Sequence, residues 1–474
     1  MSETKVYIQN LLLLNNIKIG LDRETLFEKY VDEAFNVEAV KLIKEKQKTM
    51  MDKWVLKNRI EDVLTKQIII PNATIGKPYQ ATLDFDQLEL NDVAYVALDS
   101  LDQYGLNFNS DLKLIEGTPS QSGDFKVKMK FKVLGEDENS EPNVKMISLV
   151  INADPKSLWK NIASDDQKDD HWKAQNYWKP DQVNDFQPLG DKHIVVSSKR
   201  GRSHANVGSF REDDYAFKHF EDNGWSIVCV ADGAGSAKLA RQGSKIACKA
   251  VIDYFAQNLT EADLASFDEI LLHHHQVGGD DKQISHFVYN NLSKAALYAH
   301  KQIEAFAAKA ECPIKDFHST LIFTLLKKFK FGYAILTFGV GDCPIGLLNK
   351  DLTEIKLMNW LDVGEFGGGT RFITMPEIFS SEKFSTRFGF TLTDDFSYLM
   401  LMTDGIYDAK FVVEANLEKV EKWKSFIDDL KGNNEEKVAV DFDSSNQKIA
   451  HQLSVWMDFW SPGNHDDRTL AIIF

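Results

Sequence analysis

WSIVCVADGAG, Trp225–Gly235, is an almost unbroken apolar run that stops at Asp232-Gly233. Such a run reads as a buried strand, and the acid just past it falls at a sheet edge. The glycine beside it lets the backbone turn sharply or approach a ligand. The same pattern recurs in LMLMTDG, Leu399–Gly405, which ends on Asp404, and a third acid pair, Asp466-Asp467, stands in NHDDRTLAIIF, Asn464–Phe474. One Asp-Gly after a strand is an ordinary turn. Three acids set at strand ends so far apart in sequence meet only if the fold gathers them, and hard cations such as Mg²⁺ or Mn²⁺ want such oxygen ligands.

The chain has 474 residues, too many for one ordinary core, which predicts two or three domains. Hydrophobic residues make up 43% and charged residues 27%, the balance of a globular protein without membrane spans. The opening MSETKVYIQNLLLL has no basic n-region or small-residue cleavage site, so no secretory signal is expected. Cys229, Cys248, Cys312 and Cys343 show no metal spacing and read as reduced core thiols of a cytoplasmic protein. A net charge of −16 argues against a nucleic-acid surface and suits clustered metal-binding acids.

Four stretches follow one another. Residues 1–67 are rich in Leu, Lys and Glu, with Leu26, Tyr30, Phe35, Val40 and Ile43 at loosely helical spacing. Residues 68–152 turn to short β-like runs. In Phe125–Val133, Phe125, Val127, Met129, Phe131 and Val133 share one face and four lysines the other, as in a half-buried strand. PNATIGKPYQATL and GLNF…IEGTPSQSGDFKV give this stretch a resemblance to the immunoglobulin-like modules of bacterial multidomain proteins, which implies a small all-β sandwich that binds or spaces. Residues 153–190 form a bridge carrying Trp159, Trp172 and Trp178, read as clamps within the chain or onto a partner. Residues 191–474 alternate helices with antiparallel strand meanders, an α+β layered domain.

Two divalent cations a few ångströms apart need a carboxylate touching both and further oxygens on each side. Asp232, followed by Gly233 with its exposed carbonyl, is the natural bridge; Asp404 and Asp466 complete one shell, and Glu212 and Asp213 hold waters on the other. A water shared by two such cations is acidic enough to attack phosphorus in line. The ordered stretches SHANVGSFREDDYAF, VCVADGAGSA, HSTLIFTLL, FGVGDCPIGLL, LMTDGIYDA and DDRTLAIIF are similar to the metal-dependent protein phosphatase 2C family, its bacterial subgroup above all. That resemblance implies two packed antiparallel sheets flanked by helices, two Mg²⁺ or Mn²⁺ ions and a phosphoserine/phosphothreonine protein substrate. It implies Asp232 as the bridging ligand with Gly233 offering its carbonyl, Asp404 and Asp466 as direct ligands, and Glu212 and Asp213 acting mainly through water. Asp342 and Asp408 match acids that hold a third, weaker metal. It also suggests a Ser/Thr kinase or its target as partner, and N-terminal regions that localise the enzyme through a protein.

Two positions depart from the family pattern. Ala234 stands where many members carry a proton-donating His, and His204 or a metal-bound water would replace it. The usual phosphate-gripping Arg has no counterpart near Gly208; Arg202 ranks first and Arg211 second, since a guanidinium matches phosphate geometry. These departures leave a pseudophosphatase, binding a phosphoprotein without turnover, as the alternative. His273-His274-His275 reads as a polar helix end and loop. Gly364–Thr370, GEFGGGT, reads as a flap from which Arg371 reaches substrate.

Overall fold

The computed structural model describes residues 2–164, 177–278, 281–362 and 369–474. The chain divides into two compact units, Met1–Leu158 and Trp159–Phe474. Among the described residues no helix is long and apolar enough to cross a membrane.

In the first unit, helices Glu3–Leu14 and Glu24–Val31 pack against the start of the long helix Ala34–Thr65. Their core is Ile8, Phe27, Val31 and Val40. The expected stripe is therefore off by one residue over its first half: Leu26 is 64% exposed and its neighbour Phe27 buried. Tyr30, Phe35 and Ile43 are exposed as well. The far end of the long helix, through Leu56, Ile60, Val63 and Leu64, closes a second core shared with two sheets. One sheet is four-stranded, in the order Ala73–Thr74, Asn143–Asn152, Gly123–Val133, Val93–Asp99; the other joins Tyr79–Thr82, Leu114–Gly117 and Leu106–Asn109. Val127, Met129, Phe131 and Val133 face the core while the intervening lysines face outward, as their alternation predicts.

The second unit is a four-layer sandwich. One sheet runs Asp214–Phe220, Trp225–Ala231, Leu321–Phe329, Gly332–Val340, Phe388–Thr393. The other runs Ile355–Leu357, Ile345–Asn349, Phe396–Met402, Arg468–Ile473, Lys192–Lys199, Gln182–Leu189. Every neighbouring pair within these two sheets is antiparallel. Ile194, Val196, Val228, Val230, Ile322, Leu399, Leu401 and Ala471 fill the space between the sheets. On the outer face of the first sheet, Ile227, Cys229 and Phe323 meet the helices Ala240–Asn258 and Lys282–Lys309. On the outer face of the second, Val195, Met400, Met402 and Ile472 meet Trp423, Phe426, Leu453 and Trp456 of the helices Val420–Leu430 and Ile449–Trp456. Both faces of each sheet are covered, which is why these strands read as continuous apolar runs and not as alternating ones.

His273–His275 stand near the C-terminal end of the helix Glu261–Val277, the polar helix end expected from sequence, with His274 Nε2 2.7 Å from Asp281 and His275 stacked on Phe331. One local reading changes: the end of the 153–190 stretch forms the edge strand Gln182–Leu189, while Trp159 packs within the chain, on His465, with ring centroids 4.4 Å apart. Trp178 is half exposed, and Trp172 lies outside the described residues.

Candidate metal centre

Strand register brings the acids to one end of the sandwich. Ala231 pairs with Asp214, so Asp232 and Asp213 leave the ladder side by side. Met402 pairs with Leu470, so Asp404 and the Asp466-Asp467 pair leave the opposite sheet together. The hydroxyls of Thr403 and Thr469, on that opposite sheet, lie 2.8 Å from Asp213 Oδ2 and tie the two sheets at the acid cluster. The glycine after Asp404 has a packing reason: a Cβ on Gly405 would stand 1.9 Å from the Asp467 carbonyl oxygen. Gly233 is nearly as tight, 2.8 Å from the Glu212 carbonyl oxygen, so this backbone lies flush against the Glu212 strand entry.

Asp466 and Asp467 differ in use. Asp467 is buried; its Oδ1 accepts from the Gly201 amide at 2.6 Å and lies 2.9 Å from His204 Nδ1, while Oδ2 accepts from the Glu212 amide. It is a scaffold for the Gly201–Glu212 stretch. Asp466 stands at the cluster with His204, their ligand atoms and those of Asp467 all within 4.8 Å of one another. His204 Nε2 faces Glu212 Oε2 at 3.8 Å. Burial works against charge on His204 but is outweighed by Asp467, and the imidazolium is held up to about 10.

The carboxyls repel one another in a dry place. Burial first, then Asp404 and Asp213, push Asp232 well above the carboxylate range; burial, Asp466 and Asp342 do the same to Asp404. Burial and Asp467 raise Asp213 to about 7, and burial raises Glu212 to about 8. Asp342, Asp408 and Asp466 are raised too, by burial in the first place. Glu212 Oε2, Asp213 Oδ1, Asp342 Oδ1 and Asp404 Oδ1 are buried with no hydrogen-bond partner among the described residues. Buried acceptors without donors are costly, and a set made only of oxygens fits hard divalent cations.

The two candidate arginines do not face this cluster. Arg202 donates to the carbonyls of Asp458 and Phe459 at 2.8 and 3.2 Å, just past the helix Ile449–Trp456. Arg211 is buried and donates to the carbonyls of Pro180 and Asp213 and to Ser198. Arg371 is exposed and follows Thr370, whose hydroxyl donates to Asp342 Oδ2 at 2.7 Å; residues 364–368 of the expected flap lie outside the described residues.

Sequence reasoning passed over Lys179. Its ammonium is buried, 3.0 Å from Asp214 and 3.1 Å from Ser244 Oγ, and donates to the Glu212 carbonyl at 3.3 Å. Burial outweighs Asp214 and lowers it to about 8. A lysine amid a Trp-rich, charged stretch looks solvated, and only the fold shows it tucked under Glu212–Asp214. Lys179→Met leaves Asp214 buried without its ammonium, and is expected to cost about 3–5 kcal/mol. The check is a urea melt, together with Mn²⁺ affinity, which falls if the acid-bearing strand shifts.

The family profile for protein phosphatase 2C matches residues 200–454, more than half of the chain. Lys179 and Asp466 thus lie outside the matched stretch. Among curated proteins no match is found. Similar solved structures include the serine/threonine phosphatase Stp1 from Staphylococcus aureus, at 13% identity over 62% of this chain and 98% of that one, with a TM-score of 0.34. The catalytic domain of the serine threonine protein phosphatase PstP, in complex with two manganese ions, is 13% identical over 59% of this chain and 96% of its own, with a TM-score of 0.35. The serine/threonine phosphatase of S. agalactiae is 14% identical over 60% and 99%, with a TM-score of 0.33. The chain belongs to the protein phosphatase 2C family, and through it to the serine/threonine protein phosphatases.

Proposed function

We propose that this chain hydrolyses phosphoserine and phosphothreonine in proteins with two divalent cations, Mg²⁺ or Mn²⁺, held by the acid cluster. The observation that carries this reading is the set of four buried carboxyl oxygens without partners, drawn from both sheets and gathered at one end of the sandwich. When bound, such cations supply an acidified water and neutralise the phosphoryl oxygens. Asp232 would serve both cations and Gly233 would offer its carbonyl; Asp404 and Asp466 would hold one, and Glu212 and Asp213 would serve the other through water. Asp342 and Asp408 are assigned to a third, weaker ion. His204, its Nδ1 turned to Asp467, keeps a proton on Nε2 for the departing serine or threonine oxygen. Arg371, exposed beside Asp342, takes the phosphate role in place of Arg202 or Arg211.

The four thiols are free, in keeping with a cytoplasmic site of action. The two-sheet region of residues 68–152 is proposed as an immunoglobulin-like module that, with the N-terminal helices, docks a protein partner such as a Ser/Thr kinase or its target. The test is hydrolysis of a phosphothreonine peptide with Mn²⁺ and with EDTA. Turnover that EDTA abolishes is the expected result. Folded protein with no turnover under any divalent cation would move the reading to a phosphoprotein-binding pseudophosphatase.

A further inference from the structure

The loop after the strand Gly332–Val340 brings a thiol to the acid cluster. The ligand atoms of Asp232, Asp342 and Cys343 all lie within 4.8 Å of one another. Cys343 is 0% exposed, and its Sγ lies 3.3 Å from Thr320 Oγ1, the same oxygen that accepts from the Asp232 amide at 2.9 Å. Asp342 Oδ1 has no partner among the described residues, while its Oδ2 accepts from Thr370. Two further unpartnered carboxyl oxygens adjoin Asp232: Oδ1 of Asp213, itself 0% exposed, and Oδ1 of Asp404. A buried cysteine is most often a small apolar filler. Cys229 and Cys248 fit that description, lying among apolar side chains between sheet and helices. Cys343 also borders the apolar core between the sheets, but its Sγ stands within 4.8 Å of carboxylate oxygens of Asp232 and Asp342.

We propose that Asp232, Asp342 and Cys343 form a mixed oxygen–sulfur site that takes a thiophilic divalent cation, Zn²⁺ being the probe, ahead of Mg²⁺ or Mn²⁺. Hard cations gain little from sulfur, whereas Zn²⁺ binds thiolate readily and stands above Mn²⁺ in the affinity order of first-row metals. Zinc bonds of about 2.3 Å to sulfur and about 2.0–2.2 Å to oxygen put tetrahedral ligands roughly 3.6 Å apart. Side-chain rotation of Asp342 and Cys343 closes that distance, and Asp213 or Asp404 supplies the fourth donor. The thiol proton passes to solvent as the S–Zn bond forms. Asp232 is common to this site and to the proposed two-cation centre, so zinc occupancy and phosphatase activity exclude each other. Binding stands on the side chains alone; only this inhibition rests on the phosphatase reading.

The experiment uses the full chain stripped by chelator and titrated first with Co²⁺, then with Zn²⁺. The expected result is a thiolate-to-cobalt charge-transfer band in the near ultraviolet, lost on adding one equivalent of Zn²⁺. The band is retained in Cys312→Ser and missing in Cys343→Ser, whose Zn²⁺ affinity falls at least about tenfold. Thermal melts confirm folding, and Cys343→Ala substitutes if the serine variant does not fold. Cobalt bound without the band, a band that depends on Cys312, or equal Zn²⁺ affinity in the Cys343 variants overturns the proposal. Phosphopeptide hydrolysis with Mn²⁺ in the same preparation separates the two readings. Turnover without the band removes the zinc site alone, and the band without turnover removes the phosphatase reading and leaves the site.

Discussion

Asp232→Asn is expected to lower Mn²⁺-dependent phosphopeptide turnover by at least about three orders of magnitude while the protein stays folded. A single preorganised donor to a transition state is worth about 10²–10³ in rate, and a carboxylate placed to hold both cations should exceed it. The substitution is nearly isosteric, and the amide nitrogen and carbonyl oxygen of residue 232 keep their bonds with Thr320 and Ser319. Without metal the change has the opposite sign for stability. Burial, Asp404 and Asp213 make the Asp232 charge unfavourable, so at pH 8 the metal-free variant should melt no lower than the parent. Steady-state kinetics with paired thermal melts, each with Mn²⁺ and with EDTA, read both effects. A variant that loses activity and melts far lower in EDTA would mean that Asp232 is structural.

Metal-free protein is expected to lose stability as pH rises from 5 to 8, and Mn²⁺ to reverse that trend. Glu212 and Asp213 have folded values of about 8 and about 7, and Asp232 and Asp404 are also raised, all above their unfolded values. Between roughly pH 4, the ordinary carboxylate value, and pH 8, the folded chain therefore holds more protons than the unfolded one, so unfolding free energy falls with pH. His204, raised to about 10, adds to the same slope above its ordinary value. Lys179, lowered to about 8, acts in the opposite sense only above that pH. Bound cations take the carboxylates ionised, so their affinity grows over the same range. Two sites filled at a hundred times Kd contribute about 5 kcal/mol, roughly 10 °C in Tm or more. The expected Mn²⁺ shift is of that size at pH 8 and less than about half of it at pH 5. Calorimetric melts across pH check it; a shift independent of pH would mean that the cluster is not where the metal binds.

The sandwich was legible because both faces of its strands are covered: runs such as Ile194–Val196 and Leu399–Met402 leave no polar face to mistake for a loop. The acids were legible because each stands at a strand end, where register alone decides its neighbours. What sequence could not give was the direction of long side chains. A guanidinium's fit to phosphate ranks Arg202 first, yet the side chain donates to the Asp458 and Phe459 carbonyls past the helix Ile449–Trp456. Asp466 and Asp467 read as one motif, but in the loop before the strand Arg468–Ile473 Asp467 is taken up by the amides of Gly201 and Glu212. Lys179 was invisible because nothing local marks a lysine as buried. In the first helical region, weak periodicity allowed a stripe one residue off, at Leu26 and Tyr30 instead of Phe27 and Val31.

In the proposed centre Asp232 joins two cations at one end of the sandwich. Titration of the stripped chain with Mn²⁺, followed by electron paramagnetic resonance, tests it most directly, because ions about 3.5–4 Å apart sharing a carboxylate couple their spins. Two tightly bound Mn²⁺ per chain with a coupled spectrum are expected, replaced in Asp232→Asn by weaker, uncoupled binding. A single isolated Mn²⁺, or a coupled pair that survives Asp232→Asn, would contradict it.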